Sequence, residues 1–208
     1  MRLRRFGRLA CGLVLALSLA GCMDVDVNVK VKSMTEAQAV MTQTVTAQAY
    51  VTIKASMGTD APPPIGFCER LDGGTLTENA DGSATCTIVT EGSFDNFSVD
   101  NGADKVDFTT PGPGLVRVAF ALHNLTDGGM TQAMSTSSPT GDGTNQEMLT
   151  AFAGHFLTIT FSGGEIIDTN MTLAADRRSA TEKIPFSVMI NDDTAGLPDE
   201  IYAVVKLD

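Results

Sequence analysis

The sequence predicts an α+β, β-rich fold: an antiparallel sheet, or a partly open barrel-like sheet, with two or three short helices. Three observations carry that expectation. Two-residue alternation of apolar and polar side chains runs through much of the chain, clusters of Gly, Pro, Asn and Asp punctuate it, and only short stretches carry helical periodicity.

Met23 to Lys32 alternates most cleanly, with Val25, Val27, Val29 and Val31 on one face and Asp26, Asn28, Lys30 and Lys32 on the other, the pattern of a half-buried strand. A second strand is expected over Glu36 to Val45. The stretch from Thr46 to Met57 fits both periods, since Tyr50, Ile53 and Met57 share a helical face while Ala47, Ala49, Val51 and Ile53 alternate. Thr46 as a cap and Gly58 as a stop favour the helix. Pro62, Pro63 and Pro64 stiffen a connector over Asp60 to Gly66.

Thr75 to Glu78 and Ser83 to Thr90 read as a hairpin around Asn79-Ala80-Asp81-Gly82. Ser93 is placed to cap a short helical turn bearing Phe94 and Phe97. Lys105 to Thr109 and Leu115 to Phe120 read as strands about the turn Pro111-Gly112-Pro113-Gly114. Thr126 to Thr144 has little periodicity and reads as a loop, and Asn145 to Ala153 as a helix presenting Met148, Leu149 and Phe152. Phe156 to Phe161, Glu165 to Leu173 and Ala180 to Phe186 read as a three-stranded meander, and Ile201 to Leu207 as a closing strand.

The N-terminus carries an address. Arg2, Arg4, Arg5 and Arg8 precede an apolar run from Leu9 to Ala20 that is too short for a stable membrane span and has the proportions of a secretory signal. The run ends in Leu19-Ala20-Gly21-Cys22, which resembles the lipobox of bacterial lipoproteins. That resemblance implies a signal peptide over residues 1–21, cleavage before Cys22, a diacylglycerol on its sulfur and an acylated (palmitate-type) amine. Several acyl chains, each methylene contributing about 0.8 kcal/mol when buried, make a stable anchor. Residues 22–208 are then a single ectodomain facing the periplasm. Met23, rather than Asp, follows Cys22, which favours outer-membrane over inner-membrane sorting.

Removing residues 1–21 takes four arginines and no acid, so 10 basic against 25 acidic side chains leave a formal charge of −15. Such a surface repels nucleic acid and anionic headgroups and keeps an exported domain soluble. With Cys11 lost in the signal and Cys22 lipidated, Cys68 and Cys86 remain in an oxidising compartment and are expected to form a disulfide. Their spacing is not that of a C-x-x-C redox pair, and partners for zinc are lacking.

The order of these pieces resembles a family of alphaproteobacterial-type lipoproteins and, more distantly, the LppM-like lipoprotein domain. The likeness rests on the lipobox followed at once by a V-x-V-x-V strand, T-L-T-E-N-A-D-G-S-A-T-C-T-I-V at 75–89, P-G-L-V-R-V at 113–118, S-G-G-E-I-I-D-T-N at 162–170 and L-P-D-E-I-Y-A-V-V-K at 197–206. It implies an anchored β-rich envelope domain and brings no catalytic residues.

Motif chemistry is sparse. His123 and His155 have no H-x-x-x-H or H-x-x-E partner, and no G-x-S-x-G elbow marks a serine nucleophile. Leu71-Asp72-Gly73-Gly74 lacks the Lys and helix of a phosphate loop. Asp142, Thr144, Asn145 and Glu147, and separately Asp192 and Asp193, offer oxygen ligands without EF-hand spacing. The sequence therefore points to no cofactor, no metal and no catalytic set. The expected function is a noncatalytic envelope module that binds a protein partner or an apolar or lipid ligand, nine mature methionines supplying adaptable surface or core. A periplasmic hydrolase assembled around His155 is the alternative.

Overall fold

The computed structural model describes residues 23–56, 68, 74–97, 106–122, 152–190 and 196–207. Eleven strands among them form two sheets. The larger has the order β3-β4-β2-β1-β7-β10-β9, and the smaller β5-β6-β11-β8.

The first strand, β1 (Met23–Val31), stands fourth of seven in the larger sheet because its valines bury completely on one face while Asp24, Asp26, Asn28 and Lys30 stay exposed on the other. It pairs antiparallel with β2 (Glu36–Val45) from Met23↔Val45 to Val31↔Ala37. The helix α1 (Ala47–Ser56) follows, as the capping signal predicts. The Thr46 hydroxyl accepts the Ala49 N–H at 3.5 Å, and Tyr50 and Ala49 bury against Val45 and Ala84. The Tyr50 hydroxyl donates to Glu78 at 2.7 Å and the Lys54 ammonium reaches the same carboxylate at 3.2 Å, which fastens the helix to β3 (Thr75–Glu78).

The hairpin of β3 with β4 (Ala84–Ser93) forms around the expected turn, where the Ser83 N–H and hydroxyl both donate to the Asp81 carboxylate. A single 3-10 turn, Phe94–Asn96, follows β4. Ser93 holds its N-cap position without a side-chain capping bond. The Phe94 ring stacks on Phe108 at 4.2 Å, and Phe97 meets Phe108 edge-on.

In the smaller sheet, β5 (Val106–Gly112) and β6 (Leu115–Ala121) turn through Pro113-Gly114, the second half of the expected turn, because β5 runs on past Thr109 to Gly112. β6 pairs with β11 (Glu200–Lys206), and β11 in turn with β8 (Glu165–Thr169). The larger sheet is completed by β7 (Phe156–Ser162), β9 (Thr172–Leu173) and β10 (Ser179–Pro185), with the short helix α2 (Phe186–Ile190) packing Phe186 and Met189 inward.

Two features differ from expectation. The larger sheet is mixed, because β1 runs parallel to β7 from Val25↔Leu157 to Lys30↔Ser162, and neither sheet closes into a barrel. The predicted meander is broken as well. β7 pairs directly with β10, while β8 leaves for the other sheet. Gly163 and Gly164 make that exit. A Cβ at Gly163, whose φ is +130°, would lie 2.1 Å from the Val31 carbonyl oxygen, and one at Gly164 would lie 2.2 Å from that of Lys206. Only glycine lets the corner pass between the ends of β1 and β11.

The inner faces of both sheets share one core. Val25, Val29, Leu157 and Phe161 of the larger sheet cluster with Val116, Val118, Ile166 and Val205 of the smaller, each nearly or fully buried. Burying a Val, Leu or Phe side chain contributes about 1.5–3 kcal/mol. Cys68 and Cys86 are joined as a disulfide at the edge of this core, their Cα atoms 5.3 Å apart. The loop from 126 to 144, most of the helix expected over 145–153 and the proline connector lie outside the described residues. Among the described residues no helix is long and apolar enough to cross a membrane.

Candidate functional site

The outward face of β1 determines where polar chemistry collects. From the N-terminal end it presents Asp24, Asp26, Asn28 and Lys30, with Lys32 just beyond the strand, so its charge changes sign along the strand. At 3.3 Å per residue, Lys30 lies about 23 Å from Met23. Cys22, the residue expected to carry lipid, lies outside the described residues and immediately precedes the acidic end.

At the basic end the sheet surface opens into a groove of about 630 Å³. Asn28 and Lys30 of β1 and Gln38 and Val40 of β2 line one side. Ser162, Gly163 and Gly164 at the β7–β8 corner and Arg178 before β10 line the other. The Ser162 hydroxyl donates to Asn28 Oδ1 at 3.1 Å, which orients the amide across the strand pair. Gln38 donates to Glu91 at 3.0 Å, and Lys32 pairs with the same carboxylate. Those contacts, Lys32 foremost, lower the Glu91 pKa, so this acid is held ionised and paired. Lys30 makes no ion pair among the described residues. The absence of side chains at Gly163 and Gly164 keeps the corner wall low.

His155 lies at the acidic end. Its Nδ1 is 3.3 Å from Asp24 Oδ1, an oxygen that already accepts the Phe156 N–H at 3.1 Å. The approach is within ion-pair range but out of line for a hydrogen bond, and Nδ1 is buried without such a partner. Among the described residues no hydroxyl or thiol hydrogen-bonds to His155, so the acid and imidazole have no nucleophile beside them there. His123 and the oxygen-rich positions Asp142, Thr144, Asn145, Glu147, Asp192 and Asp193 lie outside the described residues. Among the described residues no group of three His, Cys, Asp or Glu side chains is placed to hold a metal ion.

The outward face of the smaller sheet is polar but internally satisfied. The Arg117 guanidinium pairs with Glu200 and lies 4.6 Å above the Tyr202 ring, whose hydroxyl donates to Asp168 at 3.3 Å. Burial, together with the Asp168 carboxylate, pushes the Tyr202 phenol up. Asn170 extends the β8 ladder with its side chain, donating to the Glu200 carbonyl and accepting the Tyr202 N–H, both at 2.8 Å.

No motif with an assigned chemistry marks the groove, although Ser162, Gly163 and Gly164 open the S-G-G-E-I-I-D-T-N segment. The groove's available signal was the polar face of β1, which names Asn28 and Lys30 as outward positions. The glycine corner joins them through the pairing of β1 with β7, and Arg178 through the further pairing of β7 with β10.

No family model matches the chain, and no curated protein matches it. Among solved structures it is similar to the NMR structure of the folded domain of Mycobacterium tuberculosis LppM, with a TM-score of 0.45 and 10% sequence identity over 90% of this chain and 91% of that one. That is a distant likeness of overall course and assigns neither activity nor ligand.

Proposed function

We propose that the chain is an envelope lipoprotein anchored through Cys22, and that its ectodomain is a noncatalytic binding module working in the layer beside the membrane. One observation carries the reading. β1 begins at Met23 and is the middle strand of the larger sheet, so the residue of the lipobox that receives lipid feeds without a linker into the core. That continuity argues against a long tether, and acyl chains on Cys22 hold the domain at the bilayer surface. The open groove at the far end of the same strand supplies the binding element.

Fractionation of cells expressing the wild-type chain and a Cys22→Ser variant, whose residues 1–21 are replaced by a secretory signal cleaved without lipidation, tests the anchor. The wild type stays with membranes through high-salt and carbonate washes, while the variant appears in the soluble periplasmic fraction. A soluble wild type, or a variant that remains membrane-bound, contradicts the reading.

A further inference from the structure

We propose that the groove between Lys30 and Arg178 is a binding site for a carboxylate-bearing glycopeptide polymer of the wall layer, held away from the membrane by the charge gradient of β1. The orientation rests on the Cys22 anchor; the chemistry of the groove does not.

Two cations line this groove on a domain whose net charge is strongly negative; of the acids around it, Glu91 is engaged by Lys32 and Gln38, Asp176 accepts the Arg178 N–H at 3.0 Å, and Glu36 precedes Gln38 on the outward face of β2. An oxyanion entering there meets Lys30 without displacing an existing ion pair. Beside the cations stand the amides of Asn28 and Gln38 and the Ser162 hydroxyl, groups that both donate and accept hydrogen bonds as sugar hydroxyls and peptide amides require. Register places Thr160 beside Asn28 and Thr181 beside Thr160 on the same outward face, so two further hydroxyls stand next to the groove. A small anion would use only the cations. An extended polymer also engages the amides and hydroxyls around them at the basic end of the strand.

The same observations disfavour an anionic bilayer as the occupant. Asp24 and Asp26 share the face with Lys30, and a flat anionic surface laid across β1 would meet both carboxylates. Among the described residues the apolar surface here is the pair Val40 and its register partner Val89, with no aromatic side chain lining the groove, a small area for entering acyl chains. With the acidic end at the anchor, repulsion from anionic headgroups tilts the sheet upright and turns the basic end outward. A charge gradient over about 20 Å exceeds the Debye length of about 8 Å at physiological salt, so the two ends sense different surroundings.

The test is co-sedimentation of the full lipidated chain, kept in detergent, with purified peptidoglycan sacculi. Wild-type protein is expected to sediment with sacculi at low salt and to be released as salt rises. Chemical amidation of the sacculus carboxylates is expected to reduce binding at least tenfold. Lys30→Glu combined with Arg178→Glu is expected to do the same, and Lys30→Gln alone, a change that preserves an outward polar side chain, to weaken binding about threefold. Lys183→Gln, on the same face but outside the groove, should leave binding within twofold. Equal binding to native and amidated sacculi, no binding, or indifference to the Lys30 and Arg178 changes overturns the proposal. So does bridging of protein-bearing vesicles to a second population of phosphatidylglycerol vesicles, which would make the target a membrane. Since sedimentation in detergent needs no anchor, failure here leaves the Cys22 reading standing, and failure of lipidation leaves the groove standing.

Discussion

Gly163 packs so tightly on Val31 that a Cβ on the glycine would lie 2.1 Å from the valine carbonyl oxygen and 2.8 Å from its nitrogen. The neighbour is backbone in the last residue of a central strand and cannot rotate away. Gly163→Ala therefore forces the corner open as well as straining a positive φ, and is expected to cost about 3 kcal/mol or more. Urea denaturation of the two proteins measures it. Gly154→Ala supplies the contrast: it also has a positive φ, of 85°, but nothing lies within 4 Å of its added Cβ, so it should cost only about 1–2 kcal/mol.

The disulfide makes a second prediction. Cys68 and Cys86 are 18 residues apart, and closing a loop of this length contributes about 3 kcal/mol. Reduction should lower the melting temperature by roughly 6–12 °C. Gly74 approaches both partners, since its added Cβ would lie 2.9 Å from Cys68 Sγ and 3.1 Å from Cys86 Sγ. Thermal melts with and without reductant read the first effect, and Gly74→Ala should slow oxidative formation of the bond.

These two positions show where sequence and structure part. The valine alternation of β1 and the Asn79 to Gly82 turn are local, because a period of two sets the buried face and a short turn sets its own hairpin. Partner choice is not local. Val25 pairs with Leu157 across 132 residues, and alternation is identical whether the neighbour runs parallel or antiparallel. Gly163-Gly164 read as an ordinary hairpin turn because nothing nearby reveals that Val31 and Lys206 occupy the space a side chain would need. The groove has the same origin: Lys30 is visible as an outward residue, but Arg178 reaches it only through two strand pairings. Cys68 with Cys86 is accessible from the sequence because they are the two cysteines left once Cys11 and Cys22 are assigned to the expected signal and lipobox.

Glu78 gives a pH dependence. Hydrogen bonds from Tyr50 and Lys54, the former foremost, hold its carboxyl below the ordinary value of 4.5, while the Tyr50 hydroxyl is pushed up by the same contact. A carboxyl whose pKa is lowered on folding contributes stability in full above 4.5, loses it as pH falls toward the native value, and contributes none below that value. Glu78→Gln should therefore flatten the acid limb of stability against pH and leave the difference from wild type largest near neutrality. Melting temperatures from pH 3 to 7 check the sign.

Asn170 makes two hydrogen bonds to the β11 backbone, one as donor and one as acceptor. Asn170→Ala loses both and should cost about 2 kcal/mol at the usual net worth of each bond. Asn170→Asp keeps the acceptor for the Tyr202 N–H but turns a carboxylate oxygen toward the Glu200 carbonyl. At neutral pH it should be at least as destabilising as alanine, and protonation at low pH should recover part of the loss. Denaturation at two pH values separates the cases.

The central claim is that lipid enters the fold through the residue just before β1. Mass spectrometry of the mature N-terminal peptide from membrane-extracted protein tests it most directly. The account predicts a chain that starts at Cys22 and carries a diacylglyceryl group on its sulfur. A mature chain starting elsewhere, or an unmodified Cys22, contradicts it.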